Sequence, residues 1–254
     1  MSSLYYETDR ALSEYLLLHF GTPEQLLPYE FGPSGALHFP VRCVSECLFP
    51  DGVRRSDGRA LDLGCAVGRS TFELARHCAE VVGLDYSARL IAAARHLQKN
   101  GHIDFSYIEE GELTIPATAV VPQEIDRGKV TFAEGNAEEP PPGLGAFDIV
   151  LMANLIDRLQ TPRRCLQQLP QLVKPGGQLI LTSPYTWLSE FTPPENRLGG
   201  FERGGKRVKT FDALKETFSP HFQLVRRRNL PFLIREHARK FQWSVAEAST
   251  WIRA

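Results

Sequence analysis

Three small residues stand at alternate positions in the segment ALDLGCAVGRS, directly behind an apolar run: Gly64, Ala66 and Gly68. Small residues at this spacing let a backbone approach a ligand closely, because little side chain stands between the two. Asp85 ends the next apolar run, where a carboxylate can accept hydrogen bonds from both hydroxyls of a ribose. We therefore predict a nucleoside site made of one backbone loop and one acid.

Two phosphate-binding alternatives are disfavoured by the same loop. A dinucleotide loop favours the pattern G-x-G-x-x-G, but its third glycine position is Arg69 here. A phosphate-cradling loop ends in Gly-Lys-Ser or Gly-Lys-Thr, and that ending is absent. Asp62 is then free to orient the loop or to reach a cationic amino-acid group.

Apolar runs alternate with helical patterns through the middle of the chain, which is typical of a parallel sheet built from βα units. We predict strands at RALDLG, VVGLD, KVTFAEG, FDIVLMAN and VKPGGQLILTS, and helices at STFELARHCAE, after Ser87 and from Thr161-Pro162. FDIVLMAN is nearly all apolar, so we expect it to be central. Ligands bind outside the carboxyl ends of such strands, where Asn136 and Asn154 should line the same cleft as Asp85. The predicted fold class is α/β, a doubly wound and mostly parallel sheet.

The chain is predicted to form one domain over residues 1–254. A helical cap at 1–57 precedes a cofactor-binding core at 58–189, and a loop with C-terminal strands and a helix follows at 190–254. An insertion near 103–129 reads as a small hairpin or loop. In the cap, DRALSEYLLLHFG predicts a helix that ends at Gly21, and we expect the cap to cover the sheet edge or the site.

Charge and hydropathy limit the partners. The chain has 29 Lys and Arg residues and 30 Asp and Glu residues, for a formal net charge of −1. It therefore has no basic field that would bind nucleic acid. The N-terminus has no basic segment leading into an apolar run, and no window has the roughly 20 apolar residues of a membrane span. We expect a soluble, cytoplasmic protein that acts on a small molecule.

Five cysteines are scattered without a C-x-x-C pair: Cys43, Cys47, Cys65, Cys78 and Cys165. We expect reduced, buried thiols, with neither a disulfide framework nor a metal site. Cys43 and Cys47 are spaced to share one helix face, which is a weak hint of a metal pair, but we favour the interpretation that they are small buried apolar residues.

The ordered segments LDLGCAVG, VVGLDYS, AEGNAEE, FDIVLMANLIDRL and LVKPGGQLILTS resemble the motifs of the class I S-adenosylmethionine-dependent methyltransferases. They cover roughly residues 58–185 in that family's order, although the middle glycine of the family's loop is Ala66 here. The resemblance implies a Rossmann-like fold, S-adenosylmethionine as cofactor and S-adenosylhomocysteine as its product. The cofactor-binding residues then expected are Asp62, Gly64, Cys65, Ala66, Gly68, Asp85, Tyr86, Asn136, Ala137 and Asn154.

Segments outside this core resemble the methyltransferase of ovothiol biosynthesis, which methylates an imidazole nitrogen of 5-thiohistidine (4-mercaptohistidine). They are YYETDRALSEYLLLHFG, LPYEFGP, FPVRC, NLIDRL and FLIREHARKFQWSVAEASTW. The resemblance implies N-methyl transfer to 5-thiohistidine, and another small amino-acid or thiol/imidazole metabolite is the alternative. In that family the domain commonly follows a sulfoxide synthase, so either a link to a separate sulfoxide synthase or an excised domain is implied.

An amino-acid substrate would need an arginine for its carboxylate, a wall for its imidazole and a proton acceptor. Substrate contacts are expected from Tyr6, Tyr15, Asp157, Arg158 and Tyr185, with Asp157 or Tyr6 as the catalytic proton acceptor. Arg158 or a tyrosine would pair with the substrate sulfur or carboxylate. The structural alternatives are an Asp157–Arg158 ion pair and tyrosines that serve only as core aromatics.

Other polar residues carry weaker expectations. Arg42 and Arg69 are candidates for the cofactor carboxylate, although solvated arginines are the simpler interpretation. His19 and His38 are expected to be structural, and Trp187 is a further candidate for the cleft.

Two other function classes remain as alternatives. A nicotinamide-dependent reductase would need the missing third glycine, and a binding module without activity would be signalled by a broken first motif.

Overall fold

A seven-stranded sheet forms the centre of the protein in a computed structural model, which describes residues 3–49 and 57–254. The strands are β1 (Arg59–Leu63), β2 (Glu80–Asp85), β3 (His102–Glu110), β4 (Leu113–Val120), β5 (Val130–Glu134), β6 (Phe147–Ala153), β7 (Val173–Ser183), β8 (Phe201–Arg203), β9 (Lys206–Val208), β10 (Phe222–His237) and β11 (Lys240–Arg253). The α-helices are α1 (Ser3–Tyr6), α2 (Asp9–Phe20), α3 (Pro23–Leu26), α4 (Phe39–Ser45), α5 (Arg69–Leu74), α6 (Ala88–Asn100), α7 (Pro162–Leu172) and α8 (Thr210–Phe218). The expected cap at 1–57 also includes residues 1–2 and 50–56, which lie outside the described residues.

The main sheet has the strand order β10-β11-β7-β6-β1-β2-β5. The five neighbouring strands from β7 to the edge strand β5 run parallel, while β11 pairs antiparallel with β7 and β10 pairs antiparallel with β11. The chain moves outward from β1 to β2 and β5, then returns to the other side of β1 with β6. The predicted doubly wound, mostly parallel sheet is confirmed, and the order reverses beside β1, where such sheets bind ligands.

Apolar side chains that alternate in direction along the central strands form a core on each face of the sheet. In β6, Ile149 and Leu151 pack into one apolar core with α4, α5 and α6. Their neighbours Val150 and Met152 pack into a second core with α7 and α8. Because successive side chains of a strand point to opposite faces, a strand covered on both sides is apolar throughout. This confirms FDIVLMAN as a central strand.

The N-terminal helices pack against β10, the β3–β4 hairpin and α5. Helix α2 begins at the N-cap Thr8, whose side chain accepts from Ala11 N, and ends before Gly21 as predicted. Leu16 of this helix is buried in the first core, and Leu17 belongs to a smaller core beneath β10 and the β3–β4 hairpin. The cap is therefore packed into the body of the protein and shares its core.

Two inserted segments form hairpins of their own. Strands β3 and β4 pair antiparallel within the predicted insertion, and β8 pairs with β9 in the C-terminal part. Of the two forms expected near residues 103–129, a hairpin or a loop, the structure has a hairpin made of β3 and β4. In the described residues, no helix is long and apolar enough to cross a membrane.

One predicted helix is shorter than expected. The pattern STFELARHCAE extends the helical spacing to Cys78, but α5 ends at Leu74 and tight turns follow it. Ala79 N already bonds to Gly58 O, so the chain must turn back toward β2 within a few residues. Cys78 is buried without being helical, because tertiary packing decides where this short helix stops.

Candidate functional site

A cavity of about 530 Å³ opens at the carboxyl ends of β1, β2, β5 and β6. Its floor is formed by the loop after β1, and its roof by α1, α2, the segment after β6 that holds Arg158 and the segment that follows β7. The predicted site residues that line it are Tyr6, Tyr15, Asp62, Gly64, Cys65, Ala66, Asp85, Tyr86, Asn136, Ala137, Asn154 and Arg158. Cofactor and substrate candidates from distant parts of the sequence therefore share one cavity.

The loop after β1 follows a path that requires small residues. Gly64 has φ of 82° and Ala66 has φ of 49°, both in the left-handed region. A Cβ atom on Gly64 would stand 2.9 Å from Leu155 Cδ1, so a larger residue would be both strained and crowded there. Gly64 N and Cys65 N both donate to Leu84 O, at 2.8 and 3.1 Å, and tie the loop to β2.

Asp85 is held in place by this loop. Its Oδ2 accepts from Ala66 N at 2.8 Å, and its Oδ1 accepts from Ser87 N at 2.9 Å. Burial raises the pKa of Asp85, while the bonds from Ser87 and Ala66 oppose that rise. Each carboxylate oxygen keeps a further lone pair, so Asp85 can still accept the two ribose hydroxyls of a nucleoside.

Asp62 is a buried acid with one oxygen lacking a partner in the described residues. Its side chain is on the same face of β1 as Ala60 and is only 1% exposed. Oδ2 accepts from Thr71 Oγ1 at 2.7 Å, and Oδ1 has no hydrogen-bond partner in residues 3–49 and 57–254. Burial raises the pKa of Asp62 to about 7, with Thr71 opposing the rise. A cationic ligand group in the cavity would satisfy both the charge and the free oxygen.

The two predicted asparagines line the cavity with their side chains anchored. Asn154 has φ of 52°, and its Oδ1 accepts from Thr182 Oγ1 at 3.0 Å. Asn136 Oδ1 accepts from Glu138 N at 2.9 Å. In each residue the anchored oxygen leaves the amide nitrogen available as a donor.

The roof of the cavity is aromatic and carries one arginine. Tyr6 packs edge-on against Tyr15, with ring centroids 5.9 Å apart, and tilted against Phe191 at 6.2 Å. Arg158 lies over the Phe191 ring, with Cζ 4.8 Å from its centroid. Burial raises the pKa of both tyrosines, and the Arg158 charge opposes this effect at Tyr6.

Asp157 lies beside the cavity lining instead of facing the ligand space. Its side chain is fully buried, where Oδ1 accepts from Ser183 Oγ at 3.1 Å and Oδ2 accepts from Thr186 N at 2.9 Å. Oδ2 also accepts from Arg158 Nη1 at 3.1 Å. Both carboxylate oxygens of Asp157 thus accept hydrogen bonds from the protein, so Asp157 positions Arg158. The expected Asp157–Arg158 ion pair is present.

Two other predicted site residues are not part of the lining. Gly68 turns away from the cavity, and a Cβ atom there would stand 2.5 Å from Phe132 Cζ, so this glycine permits close packing. Tyr185 points to a second hollow on the other side of its loop, where its hydroxyl donates to Glu247 Oε1 at 2.8 Å. Trp187 lines the same second hollow and donates to Thr210 Oγ1.

The two arginines considered for the cofactor carboxylate have protein partners elsewhere. Arg42 pairs with Glu46 at 2.6 Å and donates to Pro231 O. Arg69 pairs with Glu73 at 3.2 Å. Neither arginine belongs to the cavity lining.

Several lining residues were not predicted from the sequence. His19 lines the cavity, and its Nδ1 accepts from Arg69 N, which leaves the other ring nitrogen as the donor. Burial lowers the pKa of His19 to about 3, so its ring is neutral. Phe191, Phe232 and Ile234 line the cavity from the loop after β7 and from β10. No motif marks these three residues, because they reach the site only through the tertiary fold.

These groups fit the predicted cofactor. Asp85 offers acceptors for a ribose, and the small residues of the loop leave room for the ligand to lie against the backbone. The unpartnered Asp62 oxygen suits an ammonium group. A nucleoside joined to an amino acid carries both groups, as S-adenosylmethionine does.

Known proteins share both the sequence motifs and the fold. Residues 61–181 match the family model described as "Methyltransferase domain". The ubiquinone biosynthesis O-methyltransferase of Cronobacter sakazakii is 27% identical over 158 residues, which are 60% of this chain and 55% of that protein. The Pseudomonas aeruginosa protein of the same name is 30% identical over 125 residues, 49% of this chain and 44% of that protein. The chain spans about half the length of the curated relatives it matches.

Solved structures of two methyltransferases have the same fold at low sequence identity. The N-methyltransferase NodS of Bradyrhizobium japonicum, in complex with S-adenosyl-l-homocysteine, aligns with a TM-score of 0.55 at 14% identity, over 95% of this chain and 98% of that one. An S-adenosylmethionine-dependent methyltransferase of Methanosarcina mazei aligns with a TM-score of 0.53 at 17% identity, over 81% and 97%. Residues 61–181 therefore match a methyltransferase domain, and the chain has the Rossmann-like fold of the class I S-adenosylmethionine-dependent methyltransferases, with a cavity whose groups fit S-adenosylmethionine as cofactor.

Proposed function

We propose that this protein transfers the methyl group of S-adenosylmethionine to an imidazole nitrogen of 5-thiohistidine, forming ovothiol. One observation carries the proposal: a single cavity joins the cofactor groups Gly64, Ala66 and Asp85 to a roof that includes Tyr6 and Arg158. Such a roof offers aromatic surface, hydroxyls and one fixed positive charge. These are the groups that an imidazole amino acid requires.

The size of the cavity favours a small substrate. Pockets for one drug-sized molecule measure roughly 300–1,000 Å³. The volume of about 530 Å³ must hold the cofactor and the substrate together. The second molecule is therefore of amino-acid size, which agrees with 5-thiohistidine and equally with the alternative, another small amino-acid or thiol/imidazole metabolite.

Catalysis by this site rests on alignment. The sulfonium of the bound cofactor supplies both the methyl group and a good leaving group. The protein has to hold the accepting nitrogen in line with that methyl group and keep water out, and positioning of this kind contributes about 7–11 kcal/mol. Tyr6, Tyr15 and Phe191 form a roof that serves both purposes.

The accepting nitrogen must be free of its proton before transfer. Of the two proton acceptors predicted from the sequence, Asp157 is turned toward Arg158, Ser183 and Thr186. Burial raises the pKa of Tyr6, so its phenol carries its proton at neutral pH and acts as a hydrogen-bonding group. We therefore propose that the imidazole enters the site with the accepting nitrogen already unprotonated, its proton having passed to water.

The partners follow from this proposal. The substrate is a small molecule, and neither nucleic acid nor a membrane takes part. The net charge of −1 supports the first exclusion. A separate sulfoxide synthase would form the bond between the imidazole carbon and the sulfur of the substrate, and a functional link to such an enzyme belongs to the proposal.

Mass spectrometry of reactions with S-adenosylmethionine tests the function. We expect 5-thiohistidine to give a methylated product with an equal amount of S-adenosylhomocysteine, and histidine to react at most weakly. A site that bonds to the sulfur is left with an unpaired polar group when the sulfur is missing, which costs several kcal/mol, or about 100-fold or more in kcat/KM. Equal kcat/KM values for the two amino acids would contradict the proposed substrate.

A phenol in the same substrate panel tests O-methyl transfer, the activity named for the ubiquinone biosynthesis relatives. Methylation of the phenol without methylation of 5-thiohistidine would replace the proposal by an O-methyltransferase. Tight binding of S-adenosylhomocysteine without turnover of any compound would indicate a binding module on a methyltransferase fold.

A further inference from the structure

Three hydrogen bonds from Nη1 fix Arg158 in the cavity roof. Nη1 donates to Asp157 O at 3.0 Å, to Asp157 Oδ2 at 3.1 Å and to Thr186 O at 3.1 Å. The guanidinium also rests on the Phe191 ring at 4.8 Å. A long, flexible side chain is thereby held in one orientation before any ligand arrives, which lowers the entropy cost of binding.

Within residues 3–49 and 57–254, the opposite edge of the guanidinium has no anionic partner. Nη1 is the terminal nitrogen on the side of Cδ, so Nε and Nη2 form the edge that binds a carboxylate with two parallel hydrogen bonds. Among the described residues, no carboxylate or carbonyl oxygen is bonded to Nε or Nη2 of Arg158. The side chain is 28% exposed, and it lines the cavity beside the Tyr6 phenol.

The charges around the cavity favour an anion at this edge. Asp62, Asp85 and Glu138 line the lower part, and His19 is neutral because burial lowers its pKa to about 3. In the described part of the chain, Arg158 is the cation of the lining. A ligand carboxylate is therefore repelled from the floor and attracted to the roof.

We infer that Arg158 and Tyr6 form a carboxylate-binding subsite, in which the Nε and Nη2 edge takes both oxygens of the substrate carboxylate and the Tyr6 hydroxyl donates to one of them. The inference rests on the proposed function and deepens it: the substrate is an α-amino acid held by its carboxylate, and the sulfur of 5-thiohistidine lies elsewhere. Asp157 and Thr186 position the guanidinium. The fork geometry selects a planar, two-oxygen anion over a single thiolate.

The experiment compares an acid with its amide. Calorimetry measures the binding of 5-thiohistidine and 5-thiohistidinamide to the S-adenosylhomocysteine complex, because the amide keeps the shape of the acid and loses its charge. We expect the acid to bind at least about tenfold more tightly to the wild-type protein, since charge-assisted hydrogen bonds are lost in the amide. Arg158→Ala should bring this ratio close to one, whereas Arg158→Lys should retain part of it.

Arg164→Ala is the matched control, because Arg164 is an exposed arginine of α7 outside the cavity that pairs with Glu139. This variant should keep the wild-type ratio. In nitrogen-15 spectra, the Arg158 Nε signal, identified by its loss in Arg158→Lys, should shift with the acid and not with the amide. S-adenosylhomocysteine affinity should stay unchanged in all three variants, which shows that the floor is intact.

The outcomes separate this subsite from the proposed function. Equal binding of acid and amide to the wild-type protein, a ratio that survives Arg158→Ala, or an Arg158 signal that no acid shifts would each overturn the subsite. Loss of the preference for 5-thiohistidine over histidine in Arg158→Ala, with an unchanged acid-to-amide ratio, would assign Arg158 to the sulfur instead. If 5-thiohistidine is not methylated but histidine and histidinamide show the Arg158-dependent ratio, the proposed function fails and the subsite stands.

Discussion

At the scale of single residues, Asp62 is an ionisable group placed in an apolar face of the sheet. It follows Ala60 on the same side of β1, it lines the cavity, and its Oδ1 accepts no hydrogen bond from the described residues. Burial raises its pKa to about 7, which is the range in which a small change of environment changes the charge. Cofactor binding and the ionisation of Asp62 should therefore be coupled.

The affinity for S-adenosylhomocysteine should fall as the pH drops below about 7. The ammonium group of the ligand favours the ionised carboxylate, so binding to the protonated form first requires loss of a proton, and affinity falls by up to about tenfold for each pH unit. Calorimetry on both sides of pH 7 measures this. Asp62→Asn should bind more weakly with a flat pH profile, and a slope that persists in this variant would assign the titration to another group.

The affinity for S-adenosylmethionine should also depend on Asp85. Asp85→Ala removes an acceptor of charge-assisted bonds worth about 1.5–3 kcal/mol, so affinity should weaken about tenfold or more. Glu134→Gln is the matched control, because Glu134 is opposite Asp85 on β5 but is exposed and outside the lining. Unchanged affinity in a folded Asp85→Ala protein would remove Asp85 from the cofactor site.

At the scale of elements, the two N-terminal helices have different roles. Helix α2 contributes Leu16 and Leu17 to two cores, so it is part of the body of the protein. Helix α1 has only four residues and ends at Tyr6, whose carbonyl accepts from Ser87 Oγ at 3.2 Å. Only α1 is a candidate for a removable part of the roof.

Deleting residues 1–7 should impair substrate binding far more than cofactor binding. The deletion removes Tyr6 but keeps Thr8, whose side chain caps α2, so the rest of the cap should stay folded. We expect KM for the substrate to rise about tenfold or more, from the loss of one hydrogen bond and one ring contact, with little change in S-adenosylhomocysteine affinity. Tyr6→Phe is the control that keeps the ring. An equal loss of both affinities would show that α1 supports the fold as a whole.

At the scale of the whole molecule, the five cysteines share one property. All are buried and none forms a disulfide: Cys43, Cys47, Cys65, Cys78 and Cys165. Burial raises the pKa of each thiol, to about 11 for Cys47 and to about 12 for Cys78 and Cys165. Because the thiolate is the reactive form, such thiols are inert while the fold is intact.

In the native protein, each cysteine should therefore react with a thiol reagent only as fast as local or global unfolding exposes it. In denaturant, all five thiols should react at once. Cys65 lines the cofactor cavity, so S-adenosylhomocysteine should slow its labelling further. Mass spectrometry of labelled peptides measures each site. Rapid labelling of any cysteine in the native protein would contradict its burial. Cys65→Ala is the control, because the labelled peptide that disappears in this variant is the one from the cavity.

The cofactor half of the site could be predicted from the sequence because its determinants are local. Gly64, Ala66 and Asp85 lie within two βα units, and the backbone path of each loop depends on residues close by in the chain. Apolar runs likewise predicted the five parallel strands, since a strand buried on both faces needs no other signal. S-adenosylmethionine as cofactor followed from the same segments.

The substrate half was decided by the tertiary structure. Asp157 and Arg158 are adjacent in sequence, yet one is buried behind the roof and the other lines the cavity. Tyr185 was expected in the cavity but turns to Glu247 of β11, while Phe191 of the same loop enters it unpredicted. These side chains come from segments far apart in the chain. Which of them reach the cavity depends on how the cap and the loop after β7 pack over the sheet, and that packing leaves no periodic pattern in the sequence.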